Sequence, residues 1–112
     1  MRTYEGLFIK DFQKIATKDV YISVLSVHIT CYVHKIKLPD SHLENHLTFF
    51  KILPITTAII QNSLSELTTD YEDNIQINSA LSNNIKTFVT FDKELLKMKS
   101  YRGMKIVEPS QL

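Results

Sequence analysis

Apolar residues fall along the chain in short blocks whose spacing switches between helix-like and strand-like. From Tyr4 to Ile15, the residues Leu7, Phe8, Phe12 and Ile15 share one helical face, which predicts an amphipathic helix. Asp19 to Leu25, DVYISVL, is dense in β-branched and aromatic residues and predicts a buried strand. Ser26 is then placed to cap a helix running to about Lys35. Lys37-Leu38-Pro39-Asp40 is a turn signal, and Ser41 opens a helix over HLENHLTFFKI. That helix is expected to end near Pro54, because the residue before a proline avoids the helical region. Leu53 to Ile55 reads as a short edge strand, since Pro54 cannot donate to a ladder. Thr56 or Thr57 caps a following helix that carries Ile60 and Leu64.

The next stretch has the clearest punctuation. Thr69-Asp70-Tyr71-Glu72-Asp73 opens a helix with Ile75, Ala80 and Leu81 as apolar positions, and Ser82-Asn83-Asn84 closes it. Lys86 to Thr90 predicts a strand, Asp92 can cap the short helix KELLKM, Gly103 turns the chain, and Met104 to Val107 predicts a last strand. Strands alternating with helices over short loops imply an α/β layered domain with a mostly parallel sheet.

Length and composition narrow the reading. The 112 residues suit one compact domain, so residues 1–112 are read as a single unit. Hydrophobic residues at 44% and charged residues at 22% are ordinary for a globular protein and argue against general disorder. Only two glycines are present, and neither GxGxxG nor GxxxxGK[ST] occurs, so no glycine-rich phosphate loop is available. A single cysteine, Cys31, excludes a disulfide framework and a four-cysteine zinc site, and points towards a cytoplasmic location. The N-terminus lacks a signal-peptide pattern, and no window is apolar enough to span a membrane.

Residues 70–96, DYEDNIQINSALSNNIKTFVTFDKELL, strongly resemble the PIN domain. That family shows an acidic pair opening a helix, a small-residue helix end, a strand, and then Thr-x-Asp. Here these are Glu72-Asp73, Ser79-Ala80-Leu81, Phe88-Val89 and Thr90-Phe91-Asp92. Lys105 to Ser110 looks like the family's last strand and tail, and Val20 to Val27 resembles its second strand and the helix start after it. The resemblance covers roughly residues 19–110. It implies a three-layer sandwich, a mostly parallel sheet flanked by helices. It also implies a metal-dependent endoribonuclease of the VapC toxin type, using Mg²⁺ or Mn²⁺. RNA as substrate, an antitoxin-like protein partner and a homodimer come with it.

Two departures accompany the match. The family's first strand ends in a metal-binding Asp, and Met1 to Lys18 looks instead like the helical region that follows it, so the domain reads as N-terminally truncated. The missing strand is the central one of the family's sheet. Ile29 stands where the helix after the second strand usually carries a Glu. The site the resemblance implies is therefore Asp73, Asp92 and Glu72 as metal ligands, with Asp73, Asp92 and Thr90 as catalytic residues, Thr90 in support. The alternative is a non-catalytic PIN-like remnant that acts as a protein- or RNA-binding module.

The chemistry is plausible on geometric grounds. Mg²⁺ and Mn²⁺ prefer carboxylates and water. Asp73 falls in the first turn of its helix and Asp92 just beyond a strand, and sites in open α/β sheets gather at the carboxyl edge. A structural reading stands beside it: Asp70 with Asp73, and Thr69 with Glu72, have capping spacings, and Asp92 can serve only as a cap. His42 and His46, four apart with Glu44 between them, offer a rival zinc pair, and His28, Cys31 and His34 recur at three-residue steps, but no HExxH is present. Charge is unevenly spread: residues 52–85 hold four acids and no Lys or Arg, while residues 86–105 hold six bases and two acids. An acidic pole beside a basic strip suits a nuclease, with lysines holding flanking phosphates and Tyr101 stacking on a base. Phe49, Phe50, Leu53 and Ile55 form an apolar cluster that suits core packing or a partner surface.

Overall fold

A computed structural model of the chain describes residues 20–65 and 68–111. The expected helix from Tyr4 to Ile15 lies outside them. Strand β1, Val20–Ser23, ends earlier than its β-branched run suggests, because Ser23 caps helix α1, Val24–Val33. The Ser23 hydroxyl accepts a hydrogen bond from the Ser26 amide at 3.3 Å, which satisfies one of the orphan donors of the first turn. The cap is thus Ser23 rather than Ser26. Helix α2, Ser41–Leu47, is capped by Asp40, whose carboxylate accepts from the Leu43 amide at 3.0 Å.

Helix α2 stops well short of Pro54. Phe50–Leu53 forms strand β2 instead, running parallel to β1 with Val20 opposite Phe50 and Ser23 opposite Leu53. The expected edge strand at 53–55 is therefore shifted towards the N-terminus. Pairing with β1 and packing of Phe50 against Ile22 outweigh the helical periodicity of this segment. Helix α3, Thr57–Ser65, is capped by Thr56, whose hydroxyl accepts from the Ile59 amide at 3.2 Å. Helix α4, Tyr71–Ser82, is capped by Asp70. Strand β3 is Thr87–Val89, helix α5 is Lys93–Leu96, strand β4 is Ser100–Tyr101, and strand β5 is Met104–Val107. A 3₁₀ turn, Pro109–Gln111, follows.

The architecture is mixed α/β, as expected, but the strands do not form one sheet. Among the described residues β1 and β2 make a two-stranded parallel sheet, and β3, β5 and β4 make a second sheet in that order. In the second, β3 and β5 are parallel, whereas β4 and β5 form an antiparallel hairpin that the sequence does not announce. Gly103 turns that hairpin at φ +84°, where a residue with a Cβ is disfavoured. Among the described residues β1 and β3 share no ladder, so the strands form two small sheets there and not the single, mostly parallel sheet expected from the alternation of elements.

The main apolar core lies under the second sheet. Ile77 and Ala80 of α4, Leu95 of α5, and Met104 and Ile106 of β5 are buried together. The apolar cluster at β1 has Ile22 as its buried member, with Val20, Val27, Leu47, Phe50 and Val89 packed partly against it. Helix α4 is enclosed on all sides over residues 74–80, which is unusual for a stretch that contains Asn74, Gln76, Asn78 and Ser79.

Candidate functional site

The carboxyl ends of β1 and β3 lie together. Ile22 of β1 packs against Val89 of β3, and Ser23, the last residue of β1, meets Gln76 of α4. The Ser23 hydroxyl donates to Gln76 Oε1 at 2.7 Å, and the Ser26 hydroxyl donates to the same oxygen at 3.3 Å. Asp73 stands one helical turn before Gln76 on α4, so the two share a face. Asp92 follows β3 after Thr90 and Phe91. Each acid also precedes by one turn a member of the main core, Ile77 for Asp73 and Leu95 for Asp92.

Asp92 is the N-cap of α5. Its Oδ1 accepts from the Glu94 amide at 2.8 Å and from the Leu95 amide at 3.3 Å. Thr90 is almost fully buried, its amide donates to the Val107 carbonyl at 2.9 Å, and its hydroxyl accepts from the Asp92 amide at 3.0 Å. Thr90 therefore fixes the turn that carries Asp92 and is not presented to a substrate. Asp73 and Glu72 are half-buried in the first turn of α4. The Asp73 amide donates to Asp70 Oδ1 at 3.1 Å, which is the capping geometry anticipated for that pair. Thr69 does not cap this helix. The start of α4 is instead tied down by Asn74, whose Oδ1 accepts from the Thr68 hydroxyl at 2.7 Å and whose Nδ2 donates to the Ser63 carbonyl at 2.9 Å.

These oxygens suit a hard divalent cation in type but are few in number. Among the described residues no group of three or more His, Cys, Asp or Glu side chains is placed to hold a metal ion. Ile29 is buried on α1, where the resemblance implies a carboxylate. An ion held by two carboxylates keeps most of its waters and depends on substrate phosphate for the remainder.

The rival zinc residues are not gathered either. His46 Nδ1 lies 2.8 Å from the His42 carbonyl oxygen, which commits one ring nitrogen to the helix backbone. The two rings stack at 6.3 Å between centroids. His28 and His34 are exposed on and just after α1, and Cys31 is half-buried.

The basic residues of the C-terminal region are exposed. Lys86 precedes β3, Lys93 opens α5 and Lys97 follows it, Lys99 and Arg102 flank β4, and Lys105 lies in β5. Lys97 pairs with Glu94 at 3.2 Å, and Arg102 lies 5.2 Å above the Tyr101 ring. One face of Tyr101 is therefore covered by a cation and not bare for stacking. Phe50 is half-buried against Ile22, Leu53 and Ile55 are half-buried, and Phe49 remains exposed.

The buried polar network of Ser23, Ser26 and Gln76 was not foreseen from the sequence. Its one legible signal is Gln76 set between Ile75 and Ile77 on a helix with few charges. The network is incomplete: Gln76 Nε2 has no hydrogen-bond partner, and neither do Thr30 Oγ1 and Ser79 Oγ. Exchanging the amide O and N of Gln76 would still leave one of them unpaired. No helix of the described residues is long and apolar enough to cross a membrane. Comparison with protein-family models, curated proteins and solved structures finds no match to this chain.

Proposed function

We propose that the chain is a PIN-like domain related to the metal-dependent endoribonucleases of toxin–antitoxin pairs. In this reading Asp73 and Asp92 hold Mg²⁺ or Mn²⁺ at the strand ends, and Glu72 lies beside them. Thr90 sets the Asp92 turn through its hydroxyl. The observation that carries the proposal is the meeting of β1 and β3 at their carboxyl ends, through Ile22 with Val89, at the edge where ligands of parallel α/β folds collect. A divalent ion there supplies a polarised water and neutralises charge at a phosphodiester. Lys93, Lys97 and Lys99 then contact flanking phosphates of RNA. A cytoplasmic location, a homodimer and an antitoxin-like partner belong to the same reading, with exposed Phe49 on the partner face.

A second reading has its own support. Ile29 is buried, and Asp92 already caps α5, so the same framework serves a non-catalytic module that binds RNA or a protein. A thermal melt with and without millimolar Mn²⁺ separates the two, beside an Asp73→Asn/Asp92→Asn double variant. A ligand that binds only the folded state raises the melting temperature. The metal reading expects an upward shift in the parent chain and none in the double variant, with RNA cleavage assayed next. A cooperative melt insensitive to Mn²⁺ leaves the binding module.

A further inference from the structure

The second sheet has two unlike faces. Met104 and Ile106 of β5, Phe88 of β3 and Tyr101 of β4 turn towards the main core. Side chains alternate along a strand, so Lys105, Thr87 and Ser100 point to the opposite face. All three are exposed. The pairing register sets them in one row, with Thr87 opposite Lys105 on one side and Ser100 opposite it on the other. The next row on this face is apolar, Val89 with Val107, and Val89 packs against Ile22. The polar row therefore occupies the end of the sheet away from β1.

Two more exposed lysines border the row. Lys86 immediately precedes Thr87, and its carbonyl accepts from the Lys105 amide at 2.9 Å. Lys99 immediately precedes Ser100, and its carbonyl accepts from the Ile106 amide at 2.9 Å. The sheet order β3-β5-β4 thus puts one lysine at each outer strand and one on the middle strand, across about 10 Å of backbone. Among the described residues no acid pairs with any of the three. Lys99 also has φ +62°, in the left-handed region where glycine is favoured over any residue with a Cβ. The hairpin uses the backbone of Lys99 through its carbonyl and makes no use of its side chain. A lysine at such a position stores strain of the kind that collects at functional sites.

We propose that this face binds the phosphodiester backbone of a single-stranded nucleic acid through Lys86, Lys105 and Lys99, with the Thr87 and Ser100 hydroxyls donating to phosphate oxygens. The charges are complementary, since the face gathers cations without acid partners and the ligand carries an anion at every nucleotide. No aromatic ring shares the row, so the contacts are to phosphate and carry no base preference. A flat sheet face enters neither groove of a duplex, whereas a flexible single strand can lie along it. The proposal takes its ligand class, RNA, from the reading above. It does not rest on the metal site, because Asp73 and Asp92 take no part in it.

The test is fluorescence anisotropy of a short labelled oligouridylate titrated with the full 112-residue chain, in EDTA, from about 50 to about 200 mM salt. Lys86→Ala and Lys105→Ala are each expected to weaken binding about three- to tenfold and to lower the salt slope by about one. Lys99→Gly should weaken binding to the same degree while its melting midpoint does not fall, because the left-handed strain is relieved. Lys37→Ala, at an exposed lysine between α1 and α2, should leave affinity within about twofold of the parent. Oligothymidylate should bind about as well as oligouridylate, since phosphate is what is held. Unchanged affinity in the Lys86 and Lys105 variants, or an equal loss in the Lys37 variant, would overturn the face. Tighter binding of a duplex of the same length would overturn the single strand as occupant. The Asp73→Asn/Asp92→Asn double variant separates this proposal from the metal reading. Full binding there is expected whether or not an ion is held, and lost binding would move the contact to the strand ends and overturn this face.

Discussion

Around β5 the buried side chains of α4, α5 and β5 meet as one apolar cluster of Ile77, Ala80, Leu95, Met104 and Ile106. Around β1 the apolar cluster has one buried side chain, Ile22, among half-buried neighbours, and the link to α4 runs through buried hydroxyls and an amide. The first region is held by dispersion and by loss of apolar surface to water, which needs no special geometry. The second leans on hydrogen bonds whose net worth is small and whose cost is large when a partner is missing. The difference teaches that one small chain can join a region held by apolar burial to a region held largely by buried hydrogen bonds.

The largest effect should come from the apolar region around β5. Ile77→Ala removes a fully buried side chain and is expected to cost about 3 kcal/mol, lowering the midpoint of a circular-dichroism melt by more than about 10 °C. Ile22→Ala should cost less, about 2 kcal/mol, because its neighbours are only half-buried. Amide exchange should then quicken in β1 and α1 and stay slow in β5. Uniform loosening of both sheets would break the comparison, since it would mean the two halves unfold as one unit.

Gln76→Leu tests the polar link. It deprives the Ser23 and Ser26 hydroxyls of their shared acceptor, for an expected loss of about 1 kcal/mol in denaturant melts. Adding Ser26→Ala should return part of that loss, because one of the two orphaned hydroxyls is then gone while Ser23 still caps α1. An additive second penalty would show that Gln76 and Ser26 are not coupled.

The smallest effect, and the one that sharpens the functional reading, is at Asp92. Asp92→Ala should cost about 1 kcal/mol through loss of the cap on α5, and Asp92→Asn close to none, because Asn caps as well as Asp. The Asn variant therefore removes the charge and leaves the fold. Loss of a Mn²⁺-induced stabilisation in that variant alone would assign Asp92 to an ion, whereas retention would leave it a cap.

Local chemistry was legible from the chain alone. The caps at Asp70, Asp92 and Thr56, the turn at Gly103 and the helix ending near Ser82 follow from side chains that bond their own backbone or from a glycine's freedom at positive φ. Such signals act within three or four residues, so neighbours in sequence suffice to read them. The alternation of strands and helices likewise gave the mixed α/β class. What tertiary structure decided was of longer range. Phe50–Leu53 became a strand because β1 lay beside it, against its helical spacing. Thr90 turned inward as a positioning hydroxyl, and Gln76 was drawn into a buried network with residues about fifty positions away. Strand pairing and buried hydrogen bonds are settled between segments distant in sequence, so no local pattern of hydrophobic and polar residues encodes which edges meet.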